Sequence, residues 1–138
     1  MWIGYALLSA VFAAAVAILG KIGLKDVDST LATAIRATVM GVFMVSVALV
    51  LGKFPMLKTV EHKTLLFIVF SGIAGAISWL FYFLALKYGP ASGVAALDRL
   101  SVVFVVLLAA LFLGEALTLK SGLGLVLIVG GALLLVFK

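Results

Sequence analysis

The sequence predicts an all-α, polytopic transmembrane bundle of five helices, and three observations predict it. The 138-residue chain is 67% hydrophobic and only 11% charged, too little polar surface to solvate a soluble domain of that length. Five apolar runs reach about the length that crosses ~30 Å of hydrocarbon at ~1.5 Å per residue, and neither of the two prolines falls inside one. The runs are apolar on every face, without the alternation over about ten residues that marks a membrane β-strand. Helices satisfy every backbone group internally, which lipid demands.

The first run, Trp2 to Gly20, holds small residues at AAAVA in cleavage-like spacing, but it lacks a basic leader and no soluble mature chain follows, so it is expected to be retained as a helix. Gly20 to Ser29 forms the first break, with Lys21, Gly23, Lys25, Asp26 and Asp28. Asp28 or Ser29 is placed to cap the second run, Thr30 to Leu51. The longest loop, marked by Lys53, Pro55, Lys58 and Glu61, leads to the third run, Lys63 to Leu86. A tight turn at Lys87, Gly89 and Pro90 precedes the fourth, Ala91 to Leu113. The last turn carries Glu115, Thr118 and Lys120, with Thr118 or Ser121 as cap for the fifth run, Ser121 to Phe137. No loop is long enough to hold a soluble domain. The expected location is the cell (plasma) membrane, crossed several times.

Composition also excludes function classes. There is no cysteine and only one histidine, His62, so neither a disulfide framework nor a thiolate or zinc centre is expected, and no cofactor. The net charge of +5 would suggest nucleic acid in a soluble protein. Here the lysines sit at the ends of apolar runs, where they anchor helices to lipid headgroups. The bilayer is therefore the expected partner, and nucleic acid is not. Enzymatic chemistry is not expected either: Ser and Thr lack a neighbouring His base, His62 lies in a loop, and the intramembrane acid stands beside a base rather than a second carboxylate.

That acid, Asp98, and its neighbour Arg99 lie about a third of the way into the fourth run, in LDRLS. An ionisable group at the bilayer centre costs at least ~2.5 kcal/mol and is normally paired or lines a wet cavity. Successive helical side chains diverge by about 100°, so the two cannot face one neighbour. Arg36 enters the second run to a comparable depth from the same side. It is the preferred partner of Asp98, either to fix helix register or as part of a gate, and Arg99 is left to snorkel or to meet an anionic substrate. Glu115 is read as a helix-end residue. Trp79 and Tyr82 share a face of the third run, with Gly75 one turn before them. That face either stacks on an organic substrate or faces lipid. Ser71, Gly72, Gly75 and Ser78, and Gly122, Gly124, Gly130 and Gly131, are small enough to let helices approach closely.

Orientation is weakly encoded. An odd helix count puts the termini on opposite sides, with Lys53, Lys58, Lys63 and Lys120 on the side of the N-terminus and Lys21, Lys25, Lys87 and Lys138 on the other. Only Arg36 and Arg99 tip the balance. Either one topology with an unreadable bias or insertion in both directions fits.

The stretch LALKYGPASGVAALDRLSVVFVVLLAALFLGEALTLKSGLGLVLIVGGALLL resembles the second half of an EamA-type domain of the drug/metabolite transporter superfamily, whose larger members carry two five-helix repeats of opposite orientation. AAVAILGKIGLKDVDSTLATAIRATV is similar to that family's first loop and second-helix Arg, and GIAGAISWLFYFLALKYGPAS to its third helix and turn. The most specific piece is LFLGEALT with the Gly-rich helix after it. The resemblance implies one half of an inverted-repeat transporter that moves, and by family habit exports, a small organic metabolite such as an amino acid by alternating access. It further implies assembly as a homodimer, antiparallel if both orientations occur, or with a second half-size subunit, and any gating role for Glu115 is inherited from it alone. A non-transporting accessory subunit that packs its Gly faces on a larger partner is the rival reading. Ser101 stands where many relatives carry proline, so no proline kink is expected there. The small multidrug resistance proteins, four-helix relatives, use a Glu in the first helix to bind cationic drug or proton. WIGYALLSAVFAAAVAILG has no acid, so a cation/proton antiporter of that design is not expected.

Overall fold

The computed structural model of the chain describes residues 1–137; Lys138, counted above for orientation, lies outside them. Among the described residues there is no strand, and five helical spans are long and apolar enough to cross a membrane: Trp2–Gly23, Ser29–Val50, His62–Tyr88, Ala91–Leu113 and Leu119–Val136. Large apolar side chains stand exposed along all of them, Phe12 at 69% and Leu134 at 78% for example. Water would not tolerate so much contiguous apolar surface, whereas lipid is the solvent it matches. The spans are α1 (Trp2–Gly23), α2 (Ser29–Val50), α3 (His62–Tyr88), a fourth span divided into α4 (Ala91–Asp98) and α5 (Ser101–Leu108), and α6 (Leu119–Val136). The chain forms two compact units, residues 23–87 and residues 1–22 with the chain from 88 onward.

In the unit of residues 23–87, Asp28 caps α2 through Oδ1, which accepts from the backbone N–H of Thr30 (2.9 Å) and Leu31 (3.0 Å). The Leu31 amide is the largest cause that holds this carboxyl below the usual carboxylate range; the Thr30 amide and the charge of Lys87 act in the same direction, against a smaller opposing effect of burial. Hydroxyls inside α2 are satisfied by their own helix: Thr33 donates to the Ser29 carbonyl (2.7 Å), Thr38 to Ala34 (3.0 Å) and Ser46 to Val42 (2.8 Å). The loop before α3 winds a short 3₁₀ helix, Phe54–Thr59, with Pro55 in its first turn where a missing N–H costs nothing. Lys87 Nζ donates to the Val27 carbonyl (3.2 Å), joining the end of α3 to the approach to α2.

In the other unit, Lys21 Nζ at the end of α1 donates to the Gly89 carbonyl (2.9 Å), and α4 packs on α6. Their close approach falls at Gly93, where a methyl group would lie 3.3 Å from Pro90 Cγ and 3.9 Å from Val136 Cγ2. The glycines that the sequence pattern offers for packing behave differently. Around the Cβ positions of Gly72, Gly75, Gly122, Gly124, Gly130 and Gly131, no described atom beyond the helix's own backbone lies within 4 Å. A glycine permits close approach only where a neighbouring helix crosses, and within this chain that crossing is one turn after Pro90.

Within the fourth span the hydrogen-bond pattern changes although Ser101 stands where many relatives carry proline. After Arg99 N–H reaches Ala95 O in the α pattern, the chain turns through tighter bonds, Leu100 to Leu97 (2.9 Å), Val102 to Arg99 (3.1 Å) and Val103 to Leu100 (2.9 Å). No proline is needed, because exchanging i−4 for i−3 acceptors is a small local change. The span ends in a turn of π-helix, Ala109–Leu113, closed by the Glu115 amide on the Ala109 carbonyl (3.3 Å) and by Gly114 at φ 69°, a left-handed conformation that glycine adopts without strain. Thr118 then opens α6 with a reciprocal cap: its Oγ1 accepts from Ser121 N–H (3.1 Å) and its own N–H donates to Ser121 Oγ (2.9 Å).

Candidate functional site

Helices α2 and α3 line an open cleft of about 670 Å³. Its walls follow helical spacing: Thr33, Ala37, Gly41 and Met44 on α2, and Gly72, Gly75, Ala76 and Trp79 on α3. Small residues make the room, since alanines and glycines at these positions leave space that leucines would fill. The one charged side chain among the lining residues is Arg36, two turns into α2 and therefore ~10 Å along the helix from its start.

Arg36 is half-buried and lies on an aromatic bed. Its guanidinium carbon is 3.6 Å from the centroid of the Trp79 ring and 5.3 Å from that of Phe83. Trp79 is held in turn by an edge-to-face contact with Tyr82 (5.4 Å, 78°) and a tilted contact with Phe83 (6.1 Å, 60°), whose ring is only 3% exposed. Centroid spacings of this size are those at which aromatic pairs gain beyond simple contact. A guanidinium over a Trp face is the favourable cation–π geometry, and it leaves the positive charge in place. An acidic partner would have neutralised it.

Of the residues singled out from sequence, Arg36, Trp79 and Tyr82 come together in this cluster. Asp98 and Arg99 belong to the other unit, both exposed, at the tightened turn; Arg99 lines a separate apolar cleft of about 290 Å³ with Ala96, Val102 and Ala132. The pairing of Arg36 with Asp98 rests on the sequence argument alone. Glu115 is exposed just beyond Gly114. Sequence reasoning missed two things. Phe83 is one turn beyond Trp79, so continuing the Trp79–Tyr82 face by that turn would have found it. The contact of Arg36 with Trp79 gave less warning, because an acid is the default partner for an intramembrane Arg and the aromatic alternative leaves no mark in charge patterning.

Comparison with known proteins places this geometry in context. A family model described as the EamA-like transporter family matches residues 1–137. A protein named "Uncharacterized transporter in cobO 3'region", from Sinorhizobium sp, is 43% identical over 134 residues, which is 97% of this chain and 95% of that one. No solved structure matches the chain.

Proposed function

The chain belongs to the EamA-like transporter family, and on that premise we propose that it moves a small organic solute, an amino acid or similar metabolite, outward across the plasma membrane by alternating access between two five-helix units. That it is a multi-pass membrane transport protein rather than an enzyme follows from the family, the relative and the five spans together.

The observation that carries the reading is the cleft between α2 and α3 with an un-neutralised guanidinium in its wall. A charge at this depth is costly unless it lines a cavity that water or a polar solute reaches, and an aromatic bed offsets that cost without cancelling the charge. Pairing of subunits is supported by the open glycines of α3 and α6, which have no close neighbour among the described residues and would allow a second subunit's helices to approach. The even spread of loop lysines fits an antiparallel homodimer, and a second half-size subunit is the other way to complete an inverted repeat. Asp98, at the tightened turn, is proposed as the gating residue of the fourth span.

The test is counterflow of labelled amino acids and other small metabolites in vesicles holding only the purified chain, with Arg36→Gln as control. Solute exchange by the wild type and its loss in the variant are expected. The same open glycines favour a second reading, a non-transporting subunit packed on a larger partner. Absence of exchange for the whole panel, together with recovery of the chain in a stable complex with a larger membrane protein, would replace the first reading by the second.

A further inference from the structure

We infer that the α2–α3 cleft selects an organic monoanion, a solute with one carboxylate or similarly acidic group on an apolar body and no cationic group. This narrows the proposed small organic solute to an organic acid and sets the amino acid aside, and it rests on the transport reading only in taking the bound molecule to be cargo. The charge balance of the lining is one-sided: Arg36 is there and no carboxylate is. Thr33, the buried hydroxyl of the lining, already donates to the Ser29 carbonyl, so the cleft offers no charged acceptor for an ammonium. A zwitterion would leave its cationic end unpaired against Met40, Met44 and Leu80, and an unpaired charge in such surroundings is strongly disfavoured.

The position of the guanidinium supports the same class. Its Cζ lies 3.6 Å over the Trp79 ring, while the five N–H donors of a guanidinium lie in its own plane and point outward from its edge. Arg36 makes no side-chain hydrogen bond among the described residues. A planar fork of free donors beside an indole is an arrangement that takes a carboxylate through two parallel bonds. The volume of about 670 Å³ lies within the range of small-molecule sites, which bury an apolar body and fix it by a few polar groups. A soluble organic anion and the acidic headgroup of a lipid share this chemistry.

The chain has two tryptophans, Trp2 and Trp79, so Trp2→Phe leaves Trp79 as the sole indole reporter, in contact with the proposed anion site. Its fluorescence would be titrated in phosphatidylcholine nanodiscs with four probes of nearly the same body: phenylacetate, phenylacetamide, phenylalanine and phenethylamine. Phenylacetate is expected to give a saturable change at a Kd at least about tenfold below those of the other three, the discrimination that charge-assisted bonds supply. Arg36→Gln should erase that preference, and Arg36→Lys should keep it at weaker affinity. No response to phenylacetate, or equal responses to all four probes in the parent, overturns the proposal without any reliance on how the Arg36 variants fold. Repeating the titration with phosphatidylglycerol in the disc separates the two sources: an unmoved midpoint assigns the site to a soluble anion, and a competitive shift assigns it to a lipid headgroup, Arg36 being the anion site in both cases. Failure of vesicle exchange would sink the transport reading and leave this binding result standing, and equal binding of the four probes would do the reverse.

Discussion

Two regions of the molecule carry a charge two turns into a membrane span, and they hold it by different means. In α2, two turns past Ser29, Arg36 lies on Trp79 and the helix around it stays regular. In the fourth span, two turns past Ala91, Asp98 and Arg99 are exposed and the backbone itself changes, giving up α bonds for a tight turn. Depth in the membrane therefore does not decide how a charge is accommodated. An aromatic face on the neighbouring helix lets side-chain contact do it, whereas in the fourth span the change falls on the backbone.

The largest expected effect on stability and binding together comes from removing the aromatic bed. Trp79→Ala should destabilise the protein by about 2 kcal/mol, from the loss of a desolvated cation–π contact and of the ring contacts around it, and should weaken phenylacetate binding by about tenfold or more. Trp79→Phe should retain part of both. Reversible unfolding in bicelles and the fluorescence titration of the Arg36 site, with an external probe where the indole is removed, measure the two quantities. An alanine variant as stable as the wild type would mean that Arg36 is not held by this ring, and the contrast between the regions would collapse.

On the other side of the comparison, Asp98→Asn should leave the amount of folded protein unchanged, because the side chain is exposed and sits where the helix is already interrupted. Transport per folded molecule should change severalfold if the residue gates. A loss of folded protein with unchanged turnover would make Asp98 a structural residue instead. A smaller effect is expected from Ser101→Pro. Proline inside a regular helix costs ~3 kcal/mol or more, as Val45→Pro in α2 should show, but Ser101 is the first residue of α5 with Leu100 at its N-cap, where proline is tolerated, so the cost should be about 1 kcal/mol. Equal losses for the two proline variants would show that the fourth span is as regular as α2.

The five spans were legible because lipid leaves so few options: a long apolar run must be a helix, and charged or Pro/Gly-rich breaks must be its ends. Caps were legible for the same local reason, Asp28 and Thr118 being short polar side chains beside apolar runs. The tightened turn was not. Its cause is a change of acceptor within the backbone, and LDRLS contains no residue that compels it. The aromatic cluster was half legible, since the spacing of Trp79 and Tyr82 shows a shared face, but which residue of another helix lies over that face depends on the rotation of α2 about its axis. The glycine faces were legible in part: glycine patterns show where approach is permitted, and only the crossing at Gly93 shows where it happens among the described residues.

The smallest expected effect concerns pH. The Asp28 carboxyl is held below its ordinary value, first by the Leu31 amide, so its cap is fully present above the ordinary value near ~3.9 and is lost as pH falls through the lowered one. Amide exchange at Thr30 and Leu31 should be insensitive to pH 5 against pH 7 after correction for intrinsic rates, and should accelerate only in the acid range below pH ~4. Asp28→Asn, which can still accept from both amides, should remove that dependence. Persistence of the acid response in the Asn variant would assign it to another group.

The turn of π-helix at Ala109–Leu113 has a meaning for how the length of this chain can vary. Such a turn amounts to one surplus residue inside an α-helix, and in an α-helix each residue sets the azimuth of everything after it by about 100°. Here the surplus sits immediately before the left-handed Gly114, where the chain reverses and azimuthal phase is no longer passed on. A one-residue deletion among Ala109–Leu113 can therefore relax to an ordinary turn with α6 keeping its phase, whereas the same deletion in α2 would swing Arg36 away from Trp79. The fourth span carries an indel reservoir at the place where the molecule can use one.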